Sequence, residues 1–394
     1  MNSSALLSVS RLAVRNAALC LCLTTSVACV SGAQAAVRPA PPADLRHTSG
    51  EVMVDATYDV SDGDLLLVDV PDADVVLRTG PTGSAHVLIT VDGRDAERAR
   101  RYYEEQKITV DQSSRAVRIV SERTKRRFSI SWSTTDRARI LIEVTLPERF
   151  DLDVSTSDGD IRAGRHVGTH AVRTSDGNIE FESLSGSSIN VRTSDGDIRF
   201  GQLDSEDIHV RTSDGDVSVR RLNGAASELV TSDGSIRVDE VLGRASFRTS
   251  DGNIVVGRAD NSTISTRTSD GNIKIGSLRS GGADARTSDG SIQVEVLAGT
   301  LDASTSDGDV YVGLTGRSQV SVRVGDGDVV IAAPGDLEAD IQLSGERVRL
   351  ETDFPFRGRV QRTSAEGSIN GGGELIRAKA SGGTVFLRTD SGRD

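Results

Sequence analysis

Nine aspartates at one fixed position of a recurring turn are the side chains in this sequence most able to do chemistry. They are Asp158, Asp176, Asp195, Asp214, Asp233, Asp251, Asp270, Asp289 and Asp307, each the third residue of a Thr-Ser-Asp-Gly turn. The turns begin at Thr156, Thr174, Thr193, Thr212, Thr231, Thr249, Thr268, Thr287 and Thr305, 18 or 19 residues apart. If the copies stack as neighbouring strands do, these carboxylates stand in a file ~4.8 Å apart. At that distance neighbours repel by ~1 kcal/mol even in water. Two residues further on stand Asp160, Asn178, Asp197, Asp216, Ser235, Asn253, Asn272, Ser291 and Asp309, all carrying oxygen. A stripe this rich in acceptors could take up Ca²⁺, a hard cation that prefers oxygen ligands. The spacing differs from the glycine-rich calcium repeat, in which Asp precedes the apolar residue by two positions. Here the turn Asp precedes it by three. The sequence also holds another counter-charge. Arg173, Arg192, Arg211, Arg248, Arg267 and Arg286 stand just before Thr and would form a basic file parallel to the acidic one.

The plainer reading makes the turn architectural. Gly would supply the positive φ of a tight turn. Asp would accept a hydrogen bond from a backbone N–H two residues on, with Ser doing the same more weakly.

Other reactive constellations are sparse. His166 and His170 are four apart, but in a strand-and-turn region that spacing is not expected to bring two rings together into a metal site. No nucleophile elbow, Walker loop, dinucleotide fingerprint or His-Glu-x-x-His is present. Parallel β-helices include sugar-cleaving enzymes, so a carbohydrate-active β-helix enzyme stands as an alternative. Paired carboxylates do not identify one, because 58 acids make pairs unavoidable. The one Trp, Trp132, lies outside the strict repeats, where it is expected to pack in a cap. The basic stretch Arg123-Thr124-Lys125-Arg126-Arg127 reads as a solvated loop. A catalytic site needs unique residues on one rung, and these rungs are nearly uniform.

The elements that carry the turns follow from the residues between them. Ile161, Ile179, Ile198, Val217, Ile236, Ile254, Ile273, Ile292 and Val310 stand three residues after each Asp, and a second small or apolar residue follows two further on. Val154, Val172, Val191, Val210, Leu229 and Phe247 stand two residues before Thr. Leu184, Leu203, Leu222, Leu278 and Leu297 mark an inward position in mid-repeat. Apolar residues at i and i+2 have the period of a strand. Each repeat therefore reads as two short strands and two turns. So short a pair cannot bury its own apolar face, but stacked copies can. The expected fold is all-β: a parallel β-solenoid of 18- to 19-residue coils. Aromatic residues are only 3% of the chain, which suits a narrow core of Val, Ile and Leu better than a broad globular one.

Residues 151–330 hold the regular repeats. Residues 331–394 carry fainter copies, at Val324-Gly325-Asp326-Gly327 just before them and then at Leu343-Ser344-Gly345, Thr363-Ser364 and Ala380-Ser381-Gly382, and are expected to cap one end. Residues 51–150 are strand-rich and would cap the other, with a helix from Asp95 to Gln106 and an early echo of the turn at Ser61-Asp62-Gly63-Asp64. Residues 36–50 are a Pro/Ala linker. Residues 1–35 read as a secretory signal: Arg11 and Arg15, an apolar run from Ala17 to Val30, and Ala33-Gln34-Ala35 as cleavage site. All three cysteines, Cys20, Cys22 and Cys29, lie within it, so the mature chain would have no disulfide and no thiolate ligand. Ser26-Val27-Ala28-Cys29 resembles a lipoprotein signal with Ser where Leu is usual, which makes Cys29 a candidate lipid anchor. No transmembrane span is expected elsewhere. A net charge of −12 argues against nucleic acid as a partner.

Leu66-Leu67-Val68-Asp69-Val70, the helix followed by Ile108-Thr109-Val110, Ile142-Glu143-Val144-Thr145-Leu146-Pro147, and Leu152-Asp153-Val154-Ser155-Thr156-Ser157-Asp158-Gly159-Asp160-Ile161 come in an order that resembles the bacterial putative-adhesin family of β-strand repeat proteins. The resemblance implies a secreted or envelope-attached β-solenoid and brings no catalytic residues. The expectation is a non-catalytic exported scaffold or adhesin-like module, secreted, periplasmic or on the cell envelope, that meets a protein or glycan partner along a face. A Ca²⁺-loaded structural stalk is a further alternative.

Overall fold

The computed structural model describes residues 50–93, 95–122, 138–351 and 354–390. The signal segment with Cys29, nearly all of the linker, Trp132 and the basic stretch 123–127 lie outside the described residues.

The repeats stack as parallel coils. Strand Ile179–Arg192 pairs with Ile161–Arg173 on one side and Ile198–Arg211 on the other, each parallel. The register sets like on like: Ile179 opposite Ile198, Leu184 opposite Leu203, Val191 opposite Val210 and Arg192 opposite Arg211. The same ladder continues through Val217–Val230, Ile236–Arg248, Ile273–Arg286 and Ile292–Asp307. Most coils run as one bent strand of 13 or 14 residues rather than two separate ones. Two coils are split, one into Ile254–Arg258 and Thr263–Arg267 and one into Val310–Leu314 and Gln319–Asp326. The predicted inward files are sealed. Ile161 through Val310 and Val154 through Phe247 are at most 1% exposed.

The bend inside each long strand has its own signal. A small residue stands two after the inward Leu or Val: Gly186, Ser205, Gly224 and Gly243 form one file. Gly186 and Gly243 take φ of +143° and +92°, which only glycine adopts freely. The Ser205 hydroxyl donates to its own coil at Asp207 O, and the Ser262 hydroxyl to Val241 O in the coil before.

Both ends are built out of chain order. Strand Leu65–Asp69 lies between Ala116–Ser121 and Asp151–Ser155, parallel to both. Strand Ala73–Thr79 lies between Arg139–Leu146 and Ile161–Arg173. The first coil of the sequence is thus inserted beneath the first regular repeat. At the other end, Glu374–Ala380 and Thr384–Thr389 lie between the coil of Gln319–Asp326 and Val329–Ala333 and that of Ala339–Ser344 and Arg347–Glu351. Antiparallel strands finish each end: Glu51–Asp59 on Ser84–Asp92, and Phe356–Val360 on Ser364–Ile369. Helix Ala96–Gln106 is capped by Asp95, whose side chain accepts from Arg98 N at 2.8 Å, and Ala99 is its buried contact.

Two expected echoes resolve differently. Ser61-Asp62-Gly63-Asp64 is a turn closed by Asp64 N to Ser61 O and bonded to the neighbouring coil by Gly63 N to Arg149 O, so it does not stand at the Thr-Ser-Asp-Gly corner. The corner equivalent to Thr-Ser-Asp-Gly is instead Val70-Pro71-Asp72-Ala73, which receives the Thr156 hydroxyl at the carbonyls of Pro71 and Ala73. Thr363-Ser364 sits at the turn of an antiparallel hairpin, where Val360 pairs with Ala365. Val324-Gly325-Asp326-Gly327 and Ala380-Ser381-Gly382 do stack as corners, with Asp307 opposite Asp326 and Gly382 N donating to Gly325 O.

Candidate functional site

Three side chains of each turn have separate fates. All nine threonines are buried. The Thr212 hydroxyl is shared between the carbonyls of Ser194 and Gly196 in the coil below, at 3.0 and 3.1 Å, and accepts from Gly215 N in its own coil at 3.3 Å. The donation recurs at every turn from Thr156 to Thr305. A β-branched residue is stiff at χ1, so the hydroxyl is held where the next coil needs it.

Glycine is required by a close approach rather than by φ. None of the nine turn glycines lies in the left-handed region. A Cβ on Gly215 would fall 2.0 Å from Gly196 O, and one on Gly234 1.9 Å from Gly215 O. The expectation of a positive φ is therefore corrected: stacking at β spacing leaves no room for a side chain.

The aspartates Asp158, Asp176, Asp195, Asp214, Asp233, Asp251, Asp270, Asp289 and Asp307 are all exposed. Among the described residues, no hydrogen bond or ion pair reaches any of the nine carboxylates. The expected Asx turn is not formed, and side-chain bonding to backbone N–H groups falls to another position. The residue two further on reaches up one coil: Asp160 Oδ1 accepts from Asn178 N at 2.8 Å, Asn178 Oδ1 from Asp197 N at 2.9 Å, and Asp197 Oδ1 from Asp216 N at 2.9 Å. This ladder starts at Asp74, which accepts from Asp160 N, and ends at Asp328, which accepts from Thr384 N. One oxygen of each rung accepts from the backbone of the next coil, and the second carboxylate oxygens of Asp160 and Asp197 accept from Arg162 and Arg199. Among the described residues, no group of three or more His, Cys, Asp or Glu is placed to hold a metal ion.

The arginine file exists, with Arg173, Arg192 and Arg211 in direct register and Arg248, Arg267 and Arg286 likewise. It does not neutralise the turn aspartates. Arg248 pairs with Glu228, and Arg286 with Asp284 and Asp302, all on the arginines' own face. The turn corner separates the two files.

His166 and His170 are each 1% exposed. They flank the bend at Gly168, and both side chains are buried in the core. His166 stands in the Leu184 file and His170 between Leu152 and Ile189. The His170 Nε2 donates to Ser185 O at 3.2 Å. Among the described residues, both nitrogens of His166 and the Nδ1 of His170 meet no hydrogen-bond partner within bonding distance. Burial pushes His166 down to about 4, with the nearby His170 adding to the shift. Burial also lowers His170, opposed by the Ser185 carbonyl, by Asp151 and by the His166 backbone carbonyl.

Stacked parallel coils with identical corners, sealed by hydroxyl and Asx ladders, define a β-solenoid. Residues 64–242 and again 241–388 match the Toastrack DUF4097 family, and the chain belongs to it. The junction of the two matches falls inside strand Ile236–Arg248, which pairs with coils on both sides. Solved structures similar to the chain include a putative adhesin from Bacteroides fragilis, at 12% identity, covering 70% of this chain and 98% of that one with a TM-score of 0.31. A putative lipid binding protein from Parabacteroides distasonis is 14% identical, covering 71% and 96% with a TM-score of 0.32. A putative adhesin from Parabacteroides merdae is 15% identical, covering 72% and 97% with a TM-score of 0.30. No curated protein matches the chain.

Proposed function

We propose that the chain is an exported, non-catalytic surface module whose repeated faces meet a partner. The observation that carries this reading is the uniformity of the rungs. The same corner, the same hydroxyl bond and the same ladder recur from coil to coil, whereas a reaction centre needs one rung unlike the rest. The imidazoles pushed furthest from their usual range are sealed in the core, where no substrate reaches them. Perturbed groups of a catalytic site stand in a cleft instead.

Export rests on residues 1–35 as a signal, residues 36–50 as a spacer, and the body from residue 51 onward as the displayed part. The test is cell fractionation with mass analysis of the mature N-terminus. A chain starting at Ala36 supports free export, and an acylated Cys29 supports a lipid anchor. An unprocessed chain in the cytosol refutes export. Loss of a glycan-cleaving activity after one carboxylate substitution would refute the non-catalytic part.

A further inference from the structure

The chain is acidic overall, yet its charges are sorted by position. Carboxylates crowd the turn corner. The outward side chains of the neighbouring face, the half of each coil that runs from the bend to the next turn, are mostly basic or neutral. On that face Arg173, Arg192 and Arg211 occupy three consecutive rungs in direct Cα register. All three are exposed, and among the described residues none has an ion pair or side-chain hydrogen bond. The file beside them is Ala171, Asn190 and His209. Asp207, one position further out, lies 3.1 Å from His209. Three guanidiniums held ~4.8 Å apart repel one another, each by ~1 kcal/mol in water. Asp207 and, one rung on, Glu228 stand on the same face beside His209, but among the described residues neither pairs with these three arginines, in contrast to Arg248 and Arg286.

We propose that Arg173, Arg192 and Arg211 form a docking stripe for a linear acidic polysaccharide lying along the stacking direction. This deepens the surface-module reading and rests on it. A guanidinium presents a planar fork that matches a carboxylate, and each coil supplies one fork. A polymer with one carboxylate per sugar carries its charges about once per pyranose ring, a length comparable with the rise from coil to coil. Relief of the repulsion within the file adds to the attraction. Duplex nucleic acid fits less well. It carries one charge per ~1.7 Å of axis, so most phosphates would go unmatched. Its width would also bring phosphates over the neighbouring aspartate corner.

The experiment is affinity electrophoresis of the purified full chain at low salt in gels containing polygalacturonate. Parallel gels contain fully methyl-esterified polygalacturonate or poly-dT. The expected result is retardation by polygalacturonate alone, with affinity falling about tenfold or more in R173Q/R192Q/R211Q. R162Q/R199Q/R237Q, on the other half of each coil, is expected to bind as the unaltered chain does. All six arginines are at the surface, and unchanged melting temperatures establish that both variants fold. No retardation, equal binding by the first triple variant, or equal binding to the esterified polymer overturns the proposal. Tighter binding to poly-dT assigns the stripe to nucleic acid and overturns it too. None of these outcomes bears on export, which the N-terminal mass decides separately.

Discussion

Acidification should loosen the solenoid at its first regular coil, and the two buried histidines set how much. In the unfolded chain His166 titrates near 6.5, and in the fold near 4. Between those values the unfolded chain binds more protons than the folded one, so stability rises with pH across this window. Stability is whole above 6.5, falls as pH drops through the window, and levels off below about 4. From this shift, lowering the pH from 7.5 to 5.0 costs about 2 kcal/mol for His166 alone. The full shift is worth about 3 kcal/mol. His170 is lowered too, so it acts in the same direction. The variant that isolates the effect is H166L/H170I, because Leu184 and Ile189 occupy the same files one coil on. In a stacked array the response is local, since each coil touches only its neighbours. The assay is therefore hydrogen exchange of strand Ile161–Arg173 at pH 7.5 and 5.0, corrected for intrinsic rates. The unaltered chain should lose about 2 kcal/mol of opening free energy or more over that interval. The variant should lose far less, and should be more stable at pH 7.5, because three unpaired buried nitrogens are gone. An equal pH response in the variant would show that other groups carry the effect and would refute the reasoning.

The corner supplies three further predictions. T212V keeps the shape but removes the hydroxyl that bridges two coils, and should cost about 1–2 kcal/mol in urea denaturation. G215A places a Cβ against the Gly196 carbonyl and should cost more than T212V in the same assay, about 2 kcal/mol or above. D214A alters a side chain with no bonded partner and should stay within about 0.5 kcal/mol of the unaltered chain. For the Ca²⁺ stripe, millimolar Ca²⁺ and Mg²⁺ at matched ionic strength should shift the melting temperature equally, as simple screening does. A rise of about 5 °C or more with Ca²⁺ alone would make the nine aspartates a metal site.

The stacking was legible because period and burial agree. Ile at one offset and Val at another recur too regularly for any fold but one that lays copies on each other. The roles within Thr-Ser-Asp-Gly were less legible. All four residue types favour turns when read one coil at a time, so Gly was credited with φ and Asp with the Asx bond. Both assignments fail because the decisive contacts run between coils. The Gly carbonyl sits where the next Cβ would be, and the backbone N–H that needs an acceptor belongs to the coil above. The burial of the histidine pair follows from strand alternation: residues four apart share one face, and His166 stands in the inward Leu184 file. The signal of the bend was present in Leu184-Ser185-Gly186 and Leu222-Asn223-Gly224, where a small residue follows the inward Leu by two.

The ends were hidden by chain order, and their construction has a physical purpose. A solenoid built strictly in sequence order would end in a coil held by one neighbour, free to fray and exposing a strand edge to other chains. Here the coil of Leu65–Asp69 and Ala73–Thr79 is held on both sides, by strands that come after it in the chain. The coil of Glu374–Ala380 and Thr384–Thr389 is held on both sides by strands that come before it. Neither can peel away until an outer layer has opened. The Thr156 hydroxyl and the Asp74 carboxylate carry the corner bonding into the inserted first coil, and Asp328 carries the Asx ladder to the inserted last one. Val52 and Val360, two of the three large apolar residues left exposed among the described residues, lie on the antiparallel strands beyond these coils. Strands paired on one side only, among them Glu51–Asp59, Ile108–Ser113, Arg347–Glu351 and Phe356–Val360, thus belong to the two ends, and the repeated coils between them are held from both sides.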